Sequence, residues 1–349
     1  ASIFQPPVDA SGPFGYLAEK ASTNILLQSE DFTTTWGITR ATVVADSVIS
    51  PAGTLTADKL LDSTDANSHS VGKYVQGVTN YTNYCFSVHL KSAELEYAQL
   101  RLDLNSVQLG VNISAGTIAG TLGTVTGSGI DVLPSGWVRV WVAGEHINGN
   151  GTQMNFNVYT RNSSGVSANP TYAGTGTDGF YIWGAQLELG TYPTSYIPTT
   201  TTAVTRNADV LIAGDMVTDA AGTAYAEASS IWSTASGSYA LARDLSGRII
   251  FNSTSPATVV FSYDGTNSTS TAAGVSYQNR PAPVASTWGD NLRTYKDGAG
   301  GVPAAYDGTM GTGNLGIGNI NNTGNQWNGT IRHVKILSTE LTAAEVAKL

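Results

Sequence analysis

Between Gln153 and Arg161 (QMNFNVYTR) apolar and polar side chains alternate. Met154, Phe156, Val158 and Thr160 fall between Gln153, Asn155, Asn157, Tyr159 and Arg161. Successive side chains of a strand point to opposite faces. The run therefore predicts a strand with one face on a core and the other offering amides, a phenol ring and a guanidinium. Such groups suit a sugar, whose hydroxyls need planar amides and charged forks and whose C–H face needs an aromatic ring. A polar outer face is also what any half-buried sheet presents, so the pattern gains weight only if neighbouring runs repeat it.

They do repeat it. Leu100, Leu102 and Leu104 oppose Tyr97, Gln99, Arg101 and Asp103. Val138, Val140 and Val142 oppose Trp137, Arg139 and Trp141, and Phe180 and Ile182 oppose Tyr181 and Trp183. Strand-like runs at 25–28, 73–75, 84–91, 97–104, 137–142, 153–161 and 180–189 are bounded by Gly, Asn, Ser or Pro. The second half adds runs at 239–243, 248–252, 258–263, 292–296, 315–318 and 330–337, with Asp-Gly turn pairs beginning at Asp264, Asp297 and Asp307. Short strands at this density, with no long helical period between them, predict an all-β chain of two β-sandwich (jelly-roll) domains. The one helix expected is the last, where Thr342 and Glu345 have capping-box spacing.

Punctuation sets the boundaries. Residues 1–22 carry three prolines and no periodicity, the signature of an extended arm. A jelly roll is expected over 23–198, a stiff Pro/Thr linker over 199–208 and a second sandwich over 209–349. No period of 20 to 50 residues recurs, which argues against a β-solenoid.

Composition narrows the function classes. Only 12% of the residues are charged, and 17 basic against 26 acidic side chains leave a net charge of 17 − 26 = −9. No basic run exists for nucleic acid or an anionic membrane surface, and no apolar stretch is long enough to insert in a bilayer. No charged-then-apolar leader opens the chain, so the expectation is cytoplasmic synthesis and assembly or a leader absent from this sequence. The single cysteine, Cys85, excludes an intrachain disulfide framework and reads as a structural thiol in a strand.

Catalysis finds little footing. Glu94 and Glu96 share a strand face but lack a third acid, and His69, His89, His146 and His333 are scattered without zinc spacing. No GxSxG elbow occurs, and Gly316-Ile-Gly318 lacks the rest of a phosphate loop. The chain is expected not to be an enzyme and to need no cofactor. A structural Ca²⁺ is compatible with the Asp-Gly turns, although no spacing identifies its ligands. The candidate site is instead a glycan-contacting face made of Arg101, Trp141, Asn157, Tyr159 and Trp183. Two alternatives stay open: an aromatic-rich subunit or domain interface, and reversed faces that would put Trp137 and Trp183 in the core.

Two segments carry a resemblance. Gly15-Tyr-Leu-Ala-Glu-Lys-Ala-Ser-Thr-Asn-Ile-Leu-Leu-Gln-Ser-Glu-Asp-Phe, followed by Trp36, resembles the opening of a carbohydrate-binding-type jelly roll found in virion proteins of tailed bacteriophages. Tyr181-Ile-Trp-Gly-Ala-Gln-Leu-Glu-Leu-Gly-Thr-Tyr-Pro-Thr-Ser-Tyr-Ile-Pro-Thr, running to Asp209, is similar to its close, and Gly136-Trp-Val-Arg139 to its central strand. The stretch from Trp327 to Glu345, with Asn314-Leu-Gly-Ile-Gly318 and Asn291 to Gly298 before it, resembles the end of laminin-G-like, concanavalin A-like domains of phage tail proteins. The resemblance implies a non-enzymatic fibre, spike or decoration protein on the virion surface that binds host-surface carbohydrate. The rival readings are a purely structural spacer or an accessory glycan-binding part of a secreted polysaccharide-degrading system. It also implies contacts to other virion proteins through the N-terminal arm and a homo-oligomer, by analogy a trimer.

Overall fold

The computed structural model describes residues 16–102, 107–147, 152–209, 211–217, 220–230, 237–244, 249–255, 259–271, 282–310, 313–318, 327 and 329–349. The chain is all-β, with antiparallel pairing throughout its main sheets and one turn of α-helix, Ala343–Val346, among the described residues. It forms two compact units. One spans Ser22–Arg206, and the other joins residues 16–21 to Asn207–Leu349.

Two six-stranded sheets make the first unit. The front sheet runs in the order Thr117–Leu122, Val107–Asn112, Tyr97–Leu102, Gln153–Arg161, Ser70–Gln76 and Gly37–Thr39. The back sheet runs Val125–Val132, Trp137–His146, Thr82–Ser92, Gly179–Leu189, Leu55–Leu61 and Thr42–Ile49. Leu100, Leu102, Met154, Phe156 and Val158 of the front sheet meet Phe86, Val88, Leu90, Val140 and Ile182 of the back sheet in one apolar cluster. The alternation read from the sequence therefore holds: these side chains turn inward, and their neighbours in the chain turn away.

One irregularity resets that alternation. Gly184 is at φ +62, and the pairing register shifts between Trp183 and Gln186. An added Cβ there would stand 2.9 Å from Nδ1 of His89. This bulge inserts one residue, so Ala185 and Leu187 join the core while Gln186 and Glu188 face away from it.

The second unit contains a seven-stranded sheet built around Gly329–Leu337, Gly222–Ser230, Ala282–Trp288 and Asn291–Lys296. Its other sheet has six strands, Leu211–Val217, Gly313–Ile317, Gly237–Asp244, Ile249–Ser255, Val259–Tyr263 and Ser268–Ser270. Oγ of Ser262 and Oγ of Ser286 bond at 2.6 Å from one sheet to the other. The expected turn at Asp297-Gly298 has φ +48 and +76, and the capping box of Thr342 and Glu345 is present.

Several expectations need correction. Residues 1–15 of the expected arm lie outside the described residues. Its remainder is structured: Tyr16–Ala18 pairs with the strand Gly329–Leu337 at an edge of the second unit's sheet, where unpaired backbone groups accept another strand. Ser22–Asn24 pairs with Val204–Arg206, so the chain passes between the units twice. Within the 199–208 stretch, Thr199 is buried and bonds to Leu26 and Ser29, while residues 200–205 are exposed. Residues 25–28 are not a strand, since Asn24 turns the backbone there by accepting from the amide of Leu26 at 3.0 Å. Asp103, Leu104, Arg248 and Thr258 lie outside the described residues.

Candidate functional site

The outward side of the front sheet is built in rows. Cross-strand register places Gly37, Gly72, Asn157, Arg101 and Gln108 across five adjacent strands. Two residues along the chain in one direction, Asn155 stands opposite Tyr74, whose ring is 68% exposed. In the other direction Tyr159 stands between Ser70 and Gln99. Directly opposed side chains on one sheet face are about 5 Å apart, so these groups form a continuous surface.

Half of that surface is covered by the chain itself. Oε1 of Gln99 accepts from Nη1 of Arg161 at 2.8 Å and from the amide of Ser167 at 3.0 Å. Its Nε2 donates to the carbonyl of Ser167 at 2.7 Å and to Oε1 of Gln108. This latch holds the segment around Gly165 and Val166 down over Gly110 and Gly120; a Cβ at Gly110 would stand 2.2 Å from the carbonyl oxygen of Gly165. The other half keeps its groups available. Among the described residues, the side chains of Arg101, Asn155 and Asn157 are half-buried and meet no hydrogen-bonding partner. The missing side chain of Gly72 makes room for Asn157, whose Oδ1 would lie 2.2 Å from a Cβ at that position.

The five residues expected to share one face divide between two. Arg101, Asn157 and Tyr159 lie on the outward side of the front sheet, with Arg101 and Asn157 directly opposed. Tyr159 is buried at 8% exposure and offers little ring surface. Trp141 and Trp183 belong to the back sheet, which packs its other side against the same core and so points them the opposite way. Alternation assigns faces within a strand, but it cannot say which strands share a sheet, and that is why the single-face expectation fails.

Trp183 is not a stacking platform. It is 3% exposed, packs at a tilt against Tyr196 with ring centres 4.6 Å apart, and its Nε1 donates to Oγ1 of Thr56 at 3.1 Å. With Trp137 and Ala57 it forms a small second core outside the back sheet. Trp141 is half-buried and lies over Gly129, where a Cβ would come within 2.5 Å of the indole. Glu94, one of the two carboxylates with conceivable acid–base use, is exposed and pairs with Nζ of Lys59 at 2.8 Å. Glu94→Gln should change stability by less than about 1 kcal/mol, measured by urea denaturation; a larger loss would mean that the pair organises the strand end.

The segments that carry the phage resemblance lock together over the back sheet. Nδ2 of Asn24 donates to the carbonyls of Ala185 and Ile197 at 3.2 and 2.8 Å, and its Oδ1 accepts from the amides of Leu26 and Leu187 at 3.0 and 3.1 Å. Buried Glu188 accepts from Ser22, from the amide and hydroxyl of Thr194 at 2.7 Å each, and from Gln186 at 2.7 Å. Beneath them His89 is enclosed by Trp183 and Tyr196. Burial, then the neighbouring Arg139, pushes its pKa down to about 3. These motif residues build a clasp between segments of the chain.

The residues missed by the sequence reading are Tyr74 and Gln108. Tyr74 lies in an expected strand whose alternation was not followed, and Gln108 lies in Val107–Asn112, a strand not anticipated at all. Among the described residues no group of three or more His, Cys, Asp or Glu side chains could hold a metal ion, and no helix is long and apolar enough to cross a membrane.

No family profile and no curated protein matches the chain. Among solved structures, it is similar to domains LG4-5 of the mouse laminin alpha1 chain, at 11% identity and a TM-score of 0.27, covering 98% of this chain and 96% of that one. It is also similar to the N-terminal CBM22-1-CBM22-2 tandem domain of Xyn10C from Paenibacillus barcinonensis, at 11% identity and a TM-score of 0.28, covering 93% and 100%. Overlap at these scores carries no argument about activity, so a functional reading rests on the residues themselves.

Proposed function

We propose that the first unit is a non-enzymatic carbohydrate-binding module whose ligand lies on the open half of the front sheet. The observation that carries this reading is the direct opposition of Arg101 and Asn157, neither of which has a hydrogen-bonding partner among the described residues, on the same face as an exposed Tyr74. Amides and a guanidinium read the geometry of hydroxyls, and the phenol ring supplies apolar area for a C–H face. Together with the sequence resemblance, this supports a fibre, spike or decoration protein of a tailed-phage virion that contacts host-surface glycan. The same reading takes the chain as a homo-oligomer, a trimer by analogy, with the stretch before Tyr16 contacting other virion proteins. Light scattering at micromolar concentration checks the mass.

The binding site is tested on a glycan array followed by titration of the best ligand. Arg101→Ala and Asn157→Ala should each weaken binding roughly tenfold, as truncation of a contact residue does, and should leave the melting temperature nearly unchanged. Trp183→Ala should unfold the second core instead. Undiminished binding by the Arg101/Asn157 double variant would move the site elsewhere.

A further inference from the structure

The charge of this face differs from that of the whole chain. Acidic side chains outnumber basic ones 26 to 17, yet the outward positions of the described front-sheet strands carry two arginines, Arg101 and Arg161, and no carboxylate. Arg161 is held by the neutral amide of Gln99, so its charge is not cancelled. Arg101 meets no partner among the described residues. Opposite Arg101 on its other side stands Gln108, 1% exposed, with its Oε1 taken by Gln99 and its Nε2 buried and donating to nothing. A buried amide donor left unpaired is costly, and native proteins keep such groups where something else supplies the acceptor. Gln108 is thus the register partner of Arg101, and an uncancelled guanidinium beside a strand that carries a buried donor without an acceptor leaves donors in excess on this stretch of the sheet.

We infer that the glycan bound here is acidic, its anionic group being taken by Arg101 with Gln108 completing the donor set. The inference rests on the carbohydrate-binding reading above and adds the chemistry of the ligand. A guanidinium matches two oxygens of a carboxylate or a sulfate in bidentate fashion. Asn157, opposite Arg101 on the other side, is then placed for the hydroxyls of the same ring, and Tyr74 for the next. A neutral sugar would leave the guanidinium with hydroxyl oxygens alone, without a bidentate anionic partner.

The test uses the full chain on an array of uronic-acid, sialic-acid and sulfated glycans, each beside its carboxyl-reduced or desulfated counterpart. Acidic members should bind at least tenfold more tightly than their neutral counterparts, with affinity falling as salt rises. Which arm responds tells carboxylate from sulfate. Arg101→Gln should erase the acidic-to-neutral ratio while retaining the wild-type melting temperature, and Gln108→Leu should reduce the ratio severalfold. Equal binding of acidic and neutral members would overturn the inference and leave the carbohydrate-binding reading standing. No binding to any member would overturn both. If Gln108→Leu unfolds, the ratio for Arg101→Gln decides alone.

Discussion

Asn24→Ala should destabilise the first unit by about 3–5 kcal/mol, enough to unfold much of the population near physiological temperature. The substitution removes four hydrogen bonds at once and strands two amides and two carbonyls in a fully buried place. Each orphaned backbone group costs about 1–3 kcal/mol, reduced where water or another group relaxes toward it. Asn24→Asp separates the two halves of the bond set. It keeps the acceptor for Leu26 and Leu187 but turns carboxylate oxygen toward the carbonyls of Ala185 and Ile197, so it should be destabilising at pH 7 and partly restored in acid. Denaturant unfolding of the isolated variant chains checks both. A loss under about 1 kcal/mol for the alanine variant would mean that the clasp of residues 22–29 and 185–199 closes without this side chain.

The second large effect is acid sensitivity through His89. In the folded chain its pKa is held at about 3 by burial and by Arg139, while in the unfolded chain it titrates near 6.5. Between these values the unfolded state binds the proton and the folded state does not, so stability falls as pH drops through this window. It is unaffected by this group above it. The loss from His89 alone should reach about 3 kcal/mol between pH 6.5 and 4. His89→Gln keeps a donor for the carbonyl of Gly184 and removes the titration. The pH dependence of its unfolding free energy should therefore be shallower by up to one proton in that range. Parallel curves for the two proteins would sink the prediction, since the carboxylates contribute equally to both.

The clasp also changes how the sequence resemblance is understood. Asn24, Gln186, Glu188 and Thr199 are the recognisable letters of the two end motifs, and each is buried and spent on tying segments of the chain together. The motifs therefore report that a jelly roll closes in a given way, and not that it binds anything. The residues of the proposed ligand face, Arg101, Asn157 and Tyr74, lie outside both motifs.

Local periodicity was enough to determine the all-β class, the inward and outward sides of each strongly alternating strand, the Asp297-Gly298 turn and the terminal capping box. Gln153–Arg161 was legible end to end because alternation is a property of neighbouring residues. Val107–Asn112 alternates as clearly, with Val107, Leu109 and Val111 buried, whereas Thr117–Leu122 and Val125–Val132 were not legible, since their glycines and threonines carry little periodic signal. Only the tertiary structure decided that Trp141 and Trp183 sit on the opposite sheet from Arg101 and Asn157. Only it decided that the bulge at Gly184 turns Gln186 and Glu188 into a clasp. It alone placed the last residues before Ser22 at an edge of the second unit's sheet. Each of these depends on which strands hydrogen-bond to which, and a side chain's face within a strand holds no information about that choice.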